Sequence, residues 1–462
     1  MTGGVLKGTG MKFRTGFAII ATIATVITAG PLRADTLADA LTHAYNHSGL
    51  LDQNRALLRA ADEDVAQAVA ATLPVINWAA SASTQRPRAP GSDLIQATLS
   101  MSGSLTIYDA GANALAIEAQ KEAVLGTRQS LRDIEQNVLL EAVSAYMQYR
   151  ADSEFKALRE SNVRVIAKEL RAAKDRFDVG EVTRTDVALA EARLASARSL
   201  LASAEGSLAR SGESYRNAIG RAPRNLQSAN AAPVSKSAKE AKAFAVRNHP
   251  ALLQVQHSVS AAELNIKRAE AAMRPTASLD MQIGIDQDRN VGHSVGINVG
   301  GPIYAGGRLS SQVRQLMAQR DATRAQLHIV RHGIEQQVGN AYSFLQVARA
   351  SRDATNQQIR AARTAFNGVR EEATLGARTT IDVLNAEQEL LNAQANLIAA
   401  QADEVIASYQ VLSTMGLLTA QHLRLPVQQY DPAAYYNLVK DAPTITSDQG
   451  QALDRVLRAI GQ

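Results

Sequence analysis

The chain has no cysteine. That excludes disulfides, thiolate metal sites, cysteine nucleophiles and lipidation of an N-terminal cysteine. Aromatic residues are scarce too, with 7 Phe, 1 Trp and 11 Tyr in 462 residues. So long a chain with so few large apolar groups does not read as one compact globule. Its abundant alanine, interleaved with charge, points instead to long, closely packed helices. The net charge is only +5. Acidic and basic residues are interspersed, so no nucleic-acid partner is expected. Beyond the N-terminal region, no stretch reaches the ~18 consecutive apolar residues that mark a transmembrane helix. If the chain crosses a membrane, it does so without helices.

The N-terminus indicates the compartment. Lys7, Lys12 and Arg14 precede the apolar run "FAIIATIATVITAG" from Phe17 to Gly30, and "PLRADT" offers a cleavage point after Ala34. Residues 1–34 therefore read as a secretory signal peptide of bacterial type, too short in its apolar part to span a bilayer. "MKFRTGF" from Met11 is a more typical start than Met1.

The remainder is duplicated. Tyr108 and Tyr304 stand 196 positions apart, as do Ala145-Tyr146 and Ala341-Tyr342, Gly220 and Gly416, and "VGEVTRTDVALAEARL" at Val179 and "LGARTTIDVLNAEQEL" at Leu375. Upstream, "NHSGLL" at Asn46 faces "NHPALL" at Asn248, and Pro74 faces Pro275. The expected order is repeat 1 over 35–220, a linker over 221–237, repeat 2 over 238–419 and a C-terminal equatorial or flexible tail over 420–462. Each repeat opens with a helical segment, 36–73 or 238–273.

After each proline the period falls to two. Leu279, Met281, Ile283 and Ile285 alternate with polar or small residues. So do Val295, Ile297, Val299 and Ile303, and in the first half Leu99, Met101, Leu105 and Ile107; Ile76 and Trp78 mark a less clear partner. Strands near ten residues long, with one apolar face and turn-like connections ("RPRAPGSD", "DQDRNVGH"), fit an outer-membrane β-sheet. Lipid permits no open sheet edge and membrane barrels begin at eight strands, so four strands per chain require a barrel shared between copies.

A helix of unusual length follows each tyrosine, from about Ala110 to Asp178 and from about Arg308 to Thr374, roughly 100 Å at 1.5 Å per residue. Glycine turns at Gly180 and Gly376 lead into shorter helices. There Val187, Ala190, Leu194, Ala197, Leu201, Ala204 and Leu208, and Val383, Ala386, Leu390, Ala393, Leu397 and Ala400, step by threes and fours as in a coiled-coil seam. Tyr108, Pro302, Tyr304, Gly306 and Gly307 mark the joints where a strand gives way to a helix. Proline ends pairing, tyrosine suits a lipid interface, and the glycines free the backbone to turn.

Over about 36–418 the chain resembles the TolC family of outer-membrane efflux and type I secretion proteins. The resemblance is carried by "GPIYAGGRLSSQVRQ", "AYMQYRADSEF", "VGEVTRTDV" and "LGARTTIDVLNAEQELLNAQANL". It implies an α+β membrane protein: a homotrimer with one 12-stranded barrel in outer-membrane lipid, continuous with a coiled-coil helical tunnel in the periplasm. It also implies a periplasmic adaptor, an inner-membrane pump of ABC or RND type, and exported proteins or small molecules as cargo. The tunnel's tip would be a gate, in which Arg378 ties to polar groups at Thr185 and Asp186 and Asp382 supplies an acidic ring. Asn385 stands where relatives carry a second aspartate, and Ala373 where some carry a locking tyrosine. Thr183 with Asp186 and Thr379 with Asp382 also fit helix capping boxes, a role compatible with gating.

Other chemistry has little support. His328 and His332 are spaced i,i+4 on a helix, with no acidic residue between them and no third ligand evident. Gly300, Gly301, Gly306 and Gly307 fit neither phosphate-loop pattern. The sequence contains no G-x-S-x-G and no H-E-x-x-H. No enzyme activity and no cofactor are expected. The alternative weighed against an exit duct is a pore-free periplasmic adaptor, which would carry one hairpin per chain rather than two.

Overall fold

The computed structural model describes residues 35–84, 95–234 and 237–460, within one compact unit spanning Asp35–Gln462. The expected signal peptide and the turn "RPRAPGSD" lie outside the described residues.

The first half comprises α1 (Leu37–His47), α2 (Gly49–Ala70), β1 (Val75–Thr84), β2 (Ile95–Tyr108), α3 (Ala112–Asp178) and α4 (Arg184–Ile219). The second repeats that order as α5 (Ala238–Asn248), α6 (Pro250–Ala271), β3 (Thr276–Asp286), β4 (Val291–Gly300), α7 (Arg308–Thr374) and α8 (Thr380–Thr414). Two short helices follow, α9 (Ala434–Val439) and α10 (Asp448–Ile460). The helices α3 and α7 each hold 67 residues, about 100 Å of uninterrupted rod.

Two boundaries differ from the sequence reading. Each opening helical segment is two helices. Ser48 has extended backbone and caps α2 through Leu51 N, while His249 caps α6 with Pro250 in its first turn. The repeated "NHSGLL" and "NHPALL" are thus helix breaks, each built from a side-chain cap followed by glycine or proline. Pairing in β4 ends at Gly300, so Ile303 lies beyond the sheet although it continues the alternation. Pro302, which has no amide hydrogen to donate, sits between them.

Helix packing has a simple order. Toward the turns, α3 packs against both α4 and α8, and α7 packs against α8. Toward the strands, α3 packs against α2 and α6, and α6 against α7. Within each half the shorter helices therefore meet end to end beside the long one. Gly220, just past α4, has φ +85, and a Cβ there would fall 2.2 Å from His47 Cγ at the end of α1. Gly416, just past α8, would place a Cβ 3.0 Å from Pro250 Cδ at the start of α6.

The main core lies where these ends meet. It contains Leu41, Leu51, Leu139, Val143, Tyr146, Tyr215 and Ile219, and each fully buried leucine contributes roughly 1.5–3 kcal/mol. The Tyr146 hydroxyl lies 2.9 Å from the Asp35 carbonyl and 2.8 Å from that of Gln227, so the repeated Ala-Tyr pair marks core positions. The C-terminal segment is held against the same region. Glu135 accepts from Ala420 N (2.7 Å), the Tyr435 hydroxyl donates to Glu63 (2.6 Å), and the Arg55 guanidinium lies near the rings of Tyr45 and Tyr430.

The sheet runs β1-β2-β3-β4, antiparallel throughout. Its register sorts most side chains by polarity, with His293 and Val75 as exceptions. One face carries the rows Trp78-Met101-Ile283-His293, Ala80-Leu99-Ile285-Val291 and Ile76-Gly103-Met281-Val295; the other carries Asn77-Ser102-Gln282-Ser294 and Val75-Ser104-Asp280-Gly296. Asp280 is satisfied on the polar face by Asn298 (2.6 Å) and Ser278 (2.8 Å). Among the described residues no helix covers the apolar face. Trp78 is 76% exposed, Ile76 71% and Val299 71%, a patch that an isolated soluble chain does not leave open. Among the described residues, the outer sides of β1 and β4 have no strand partner.

Candidate functional site at the hairpin tips and strand–helix joints

The two joints share one construction. Ala110 (φ +55) and Gly111 (φ +84) turn the chain from β2 into α3; Gly306 (φ +59) and Gly307 (φ +80) turn it after β4 into α7. Asp109 secures the first joint by accepting from Gly111 N (2.9 Å) and Asn113 N (2.6 Å). Tyr108 (55% exposed), Ile303 and Tyr304 (89%) project outward at this level, as aromatics at a lipid boundary do.

The tips are also twins. Gly180 (φ +81) and Gly376 (φ +75) end the long helices. Gly180 N donates to Phe177 O and Glu181 N to Arg176 O; Gly376 N donates to Ala373 O and Ala377 N to Glu372 O. These bonds satisfy the last carbonyls of each helix. Each return helix then opens with a complete capping box. Asp186 Oδ2 accepts from Thr183 N (2.9 Å) and Oγ1 (2.7 Å), and Asp382 Oδ2 accepts from Thr379 N (3.0 Å) and Oγ1 (2.8 Å). The threonine hydrogen bonds hold both carboxyls below the usual aspartate range, so both are charged at neutral pH.

Arg378 donates through Nε to Glu372 Oε2 (2.7 Å), across the turn of its own hairpin. Thr185 is exposed beside the first cap. Within one chain the structure thus brings Arg378 to Glu372 and Asp186 to Thr183; the contacts of either tip with another copy lie outside a single chain.

Sequence reasoning missed two further contacts. Asn162 Nδ2 on α3 donates to Glu387 Oε1 on α8 (3.0 Å), and Arg193 Nη2 on α4 donates to Asn385 Oδ1 on α8 (3.2 Å). Burial pushes the Glu387 carboxyl up to about 7. Of these four residues, the sequence singled out only Asn385. His332 Nδ1 lies 3.6 Å from Glu335, and among the described residues no group of three or more candidate metal ligands converges. Among the same residues no helix is long and apolar enough to cross a membrane, which says nothing of the sheet.

The family model described as outer membrane efflux protein matches residues 41–221 and 244–417. The chain is 37% identical over 426 residues to the outer membrane efflux protein BepC of Brucella suis biovar 1 (strain 1330), covering 90% of this chain and 93% of that one. It is 26% identical over 409 residues to the outer membrane protein TolC of Vibrio cholerae serotype O1, covering 84% and 92%. The crystal structure of the outer membrane protein VceC from Vibrio cholerae has the same fold, with a TM-score of 0.71 at 20% identity over 82% of this chain and 96% of that one. The chain belongs to the outer membrane efflux protein family, the family of TolC.

Proposed function

We propose that three copies of this chain form the exit duct of a tripartite export system. A shared 12-stranded barrel would sit in outer-membrane lipid, continuous with a 12-helix tunnel in the periplasm. One observation carries the reading: a sheet with an uncovered apolar face and two open edges runs directly, through glycine joints, into a helical array that is also open on both sides. In the order α4-α3-α8-α7, the outermost helices are α4 and α7. Phe344 and Val347 on α7 are 70% and 66% exposed and would be covered by α4 of the next copy, while β1 would pair with β4 of a neighbour. Closure satisfies every edge at once, which hydrocarbon requires.

In this reading the duct is passive. An inner-membrane pump and a periplasmic adaptor would supply energy and docking, and proteins or small molecules would be the cargo. The tips at Gly180 and Gly376 would form the gate, with Arg378, Thr185 and Asp186 at its contacts. Three copies of Asp382 would make a ring that favours cations. Family membership and two hairpins per chain favour the duct over the pore-free adaptor.

The absence of cysteine makes the test direct. Single cysteines introduced on the outer edges of β1 and β4 should crosslink into a covalent trimer in outer-membrane fractions. Crosslinking only within monomers, or only into dimers, would refute the closed trimer.

A further inference from the structure

A cavity of about 440 Å³ lies between α1, α2, α3 and the C-terminal segment 419–432. Three arginines line it: Arg55 from α2, and Arg128 and Arg132 from one face of α3. Among the described residues, Glu135 is the one carboxyl in the lining, and it is engaged by the amide of Ala420 (2.7 Å). Arg55 reaches Asp52 through Nη1 (2.9 Å). Its Nε is buried without a partner, as is the Nε of Arg128. Like charges four residues apart on a helix repel each other, and a buried donor left unpaired is costly. A negative group in the cavity would relieve both.

The second repeat closes what the first leaves open. Arg324 holds the same place in α7 as Arg128 in α3, and Glu263 the same place in α6 as Asp62 in α2. Arg324 and Glu263 form an ion pair at 2.5 Å. Asp62 makes no such bond, since both its carboxyl oxygens are buried without a hydrogen-bond partner. Burial, opposed by Arg128, raises its carboxyl to about 6, so a further negative charge nearby would favour its neutral form. The Arg128 guanidinium lies instead 5.5 Å from the centre of the Tyr436 ring.

We propose that the cavity binds a small, soluble, multiply charged oxyanion of the phosphate class, which ties the C-terminal segment to α2 and α3. Guanidinium forks brought by two helices suit a tetrahedral oxyanion, whereas a planar carboxylate is satisfied by one fork. Thr419 and Tyr430 add hydroxyls from the segment itself. The volume exceeds that of a single phosphate and leaves space for a second phosphoryl group or a compact ester. Arg128 stands sixteen residues beyond Ala112, where α3 begins, roughly 24 Å along the helix. A lipid headgroup at the strand–helix joint does not reach that far. The anion site is independent of the barrel; only the exclusion of lipid uses the lipid boundary proposed above.

The test is titration of the mature protein, in non-ionic detergent, with inorganic phosphate and with pyrophosphate. Chloride holds the ionic strength constant, and binding is read by calorimetry and thermal melting. Binding should saturate at one site per chain, and a hundredfold excess over Kd should raise Tm by roughly 3 °C. Arg128→Gln and Arg132→Gln should each weaken binding on the order of tenfold or more. Arg132 is exposed, so its variant decides the question if Arg128→Gln does not fold. Arg324→Gln, at the matching place in the second repeat, should bind as wild type does. Absence of saturable binding, unchanged affinity in Arg132→Gln, or an equal loss in Arg324→Gln overturns the site. Succinate binding where phosphate does not overturns the phosphate assignment, and binding only when phospholipid is present overturns the soluble one.

Discussion

Replacing Gly220 by alanine tests whether the long wall is built from helices stacked end to end. Gly220 has φ +85, and an added Cβ would lie 2.2 Å from His47 Cγ, 2.3 Å from Cδ2 and 2.8 Å from Cβ. The left-handed backbone alone costs alanine about 1–2 kcal/mol. Relieving the overlap adds roughly 1–3 kcal/mol, the usual range for forced overpacking. Gly416→Ala incurs the same backbone cost at φ +78 but meets milder contacts, 3.0 Å to Pro250 Cδ and 3.2 Å to His249 Cα. The expected order is Gly220→Ala worse than Gly416→Ala. For a chain of this size, ~3 kcal/mol corresponds to a fall in melting temperature of roughly 3–4 °C, readable by circular dichroism of the detergent-solubilised protein. His47 is exposed, so His47→Ala alone should be nearly neutral, yet it should recover part of the loss in the double variant. If Gly220→Ala were no worse than Gly416→Ala and indifferent to residue 47, the helix ends would not abut as described.

Ala110 holds φ +55 where the second repeat has Gly306, so Ala110→Gly should stabilise the protein by about 1 kcal/mol, measured by the same melts. Tyr146→Phe removes the buried hydroxyl facing two carbonyls and should cost ~1–2 kcal/mol, read from the shift in melting temperature. Asp382→Asn keeps an acceptor for Thr379 but removes the charge. It should lower cation selectivity in reversal-potential measurements while leaving the melt close to wild type; unchanged selectivity would reduce Asp382 to a helix cap.

Much of this architecture can be read locally. Alternation along Leu279 to Ile285 marks a strand because each side chain's face is set by its own position. The capping boxes and the glycine turns are legible for the same reason, since each closes within about six residues. The breaks at Ser48 and His249 were visible as a repeated string but not as boundaries, because the helical pattern resumes immediately on either side. Glu387 shows the opposite case. On its own helix it reads as one more solvated carboxylate between Asn385 and Glu389. Only the fold brings it to Asn162, 225 residues away, and a partner that distant leaves no periodic trace. The roles proposed for Arg378 and Thr185 would depend on contacts between copies, which no reading of one chain contains.

The central claim is that the sheet and the long helices enclose one continuous aqueous path. Planar-bilayer recording of the purified, crosslinked trimer tests it most directly. Discrete, reproducible conductance steps from a preparation with no other protein are the predicted result. A stable trimer that inserts into lipid and conducts nothing, even with the Arg378→Ala change in place, would contradict it.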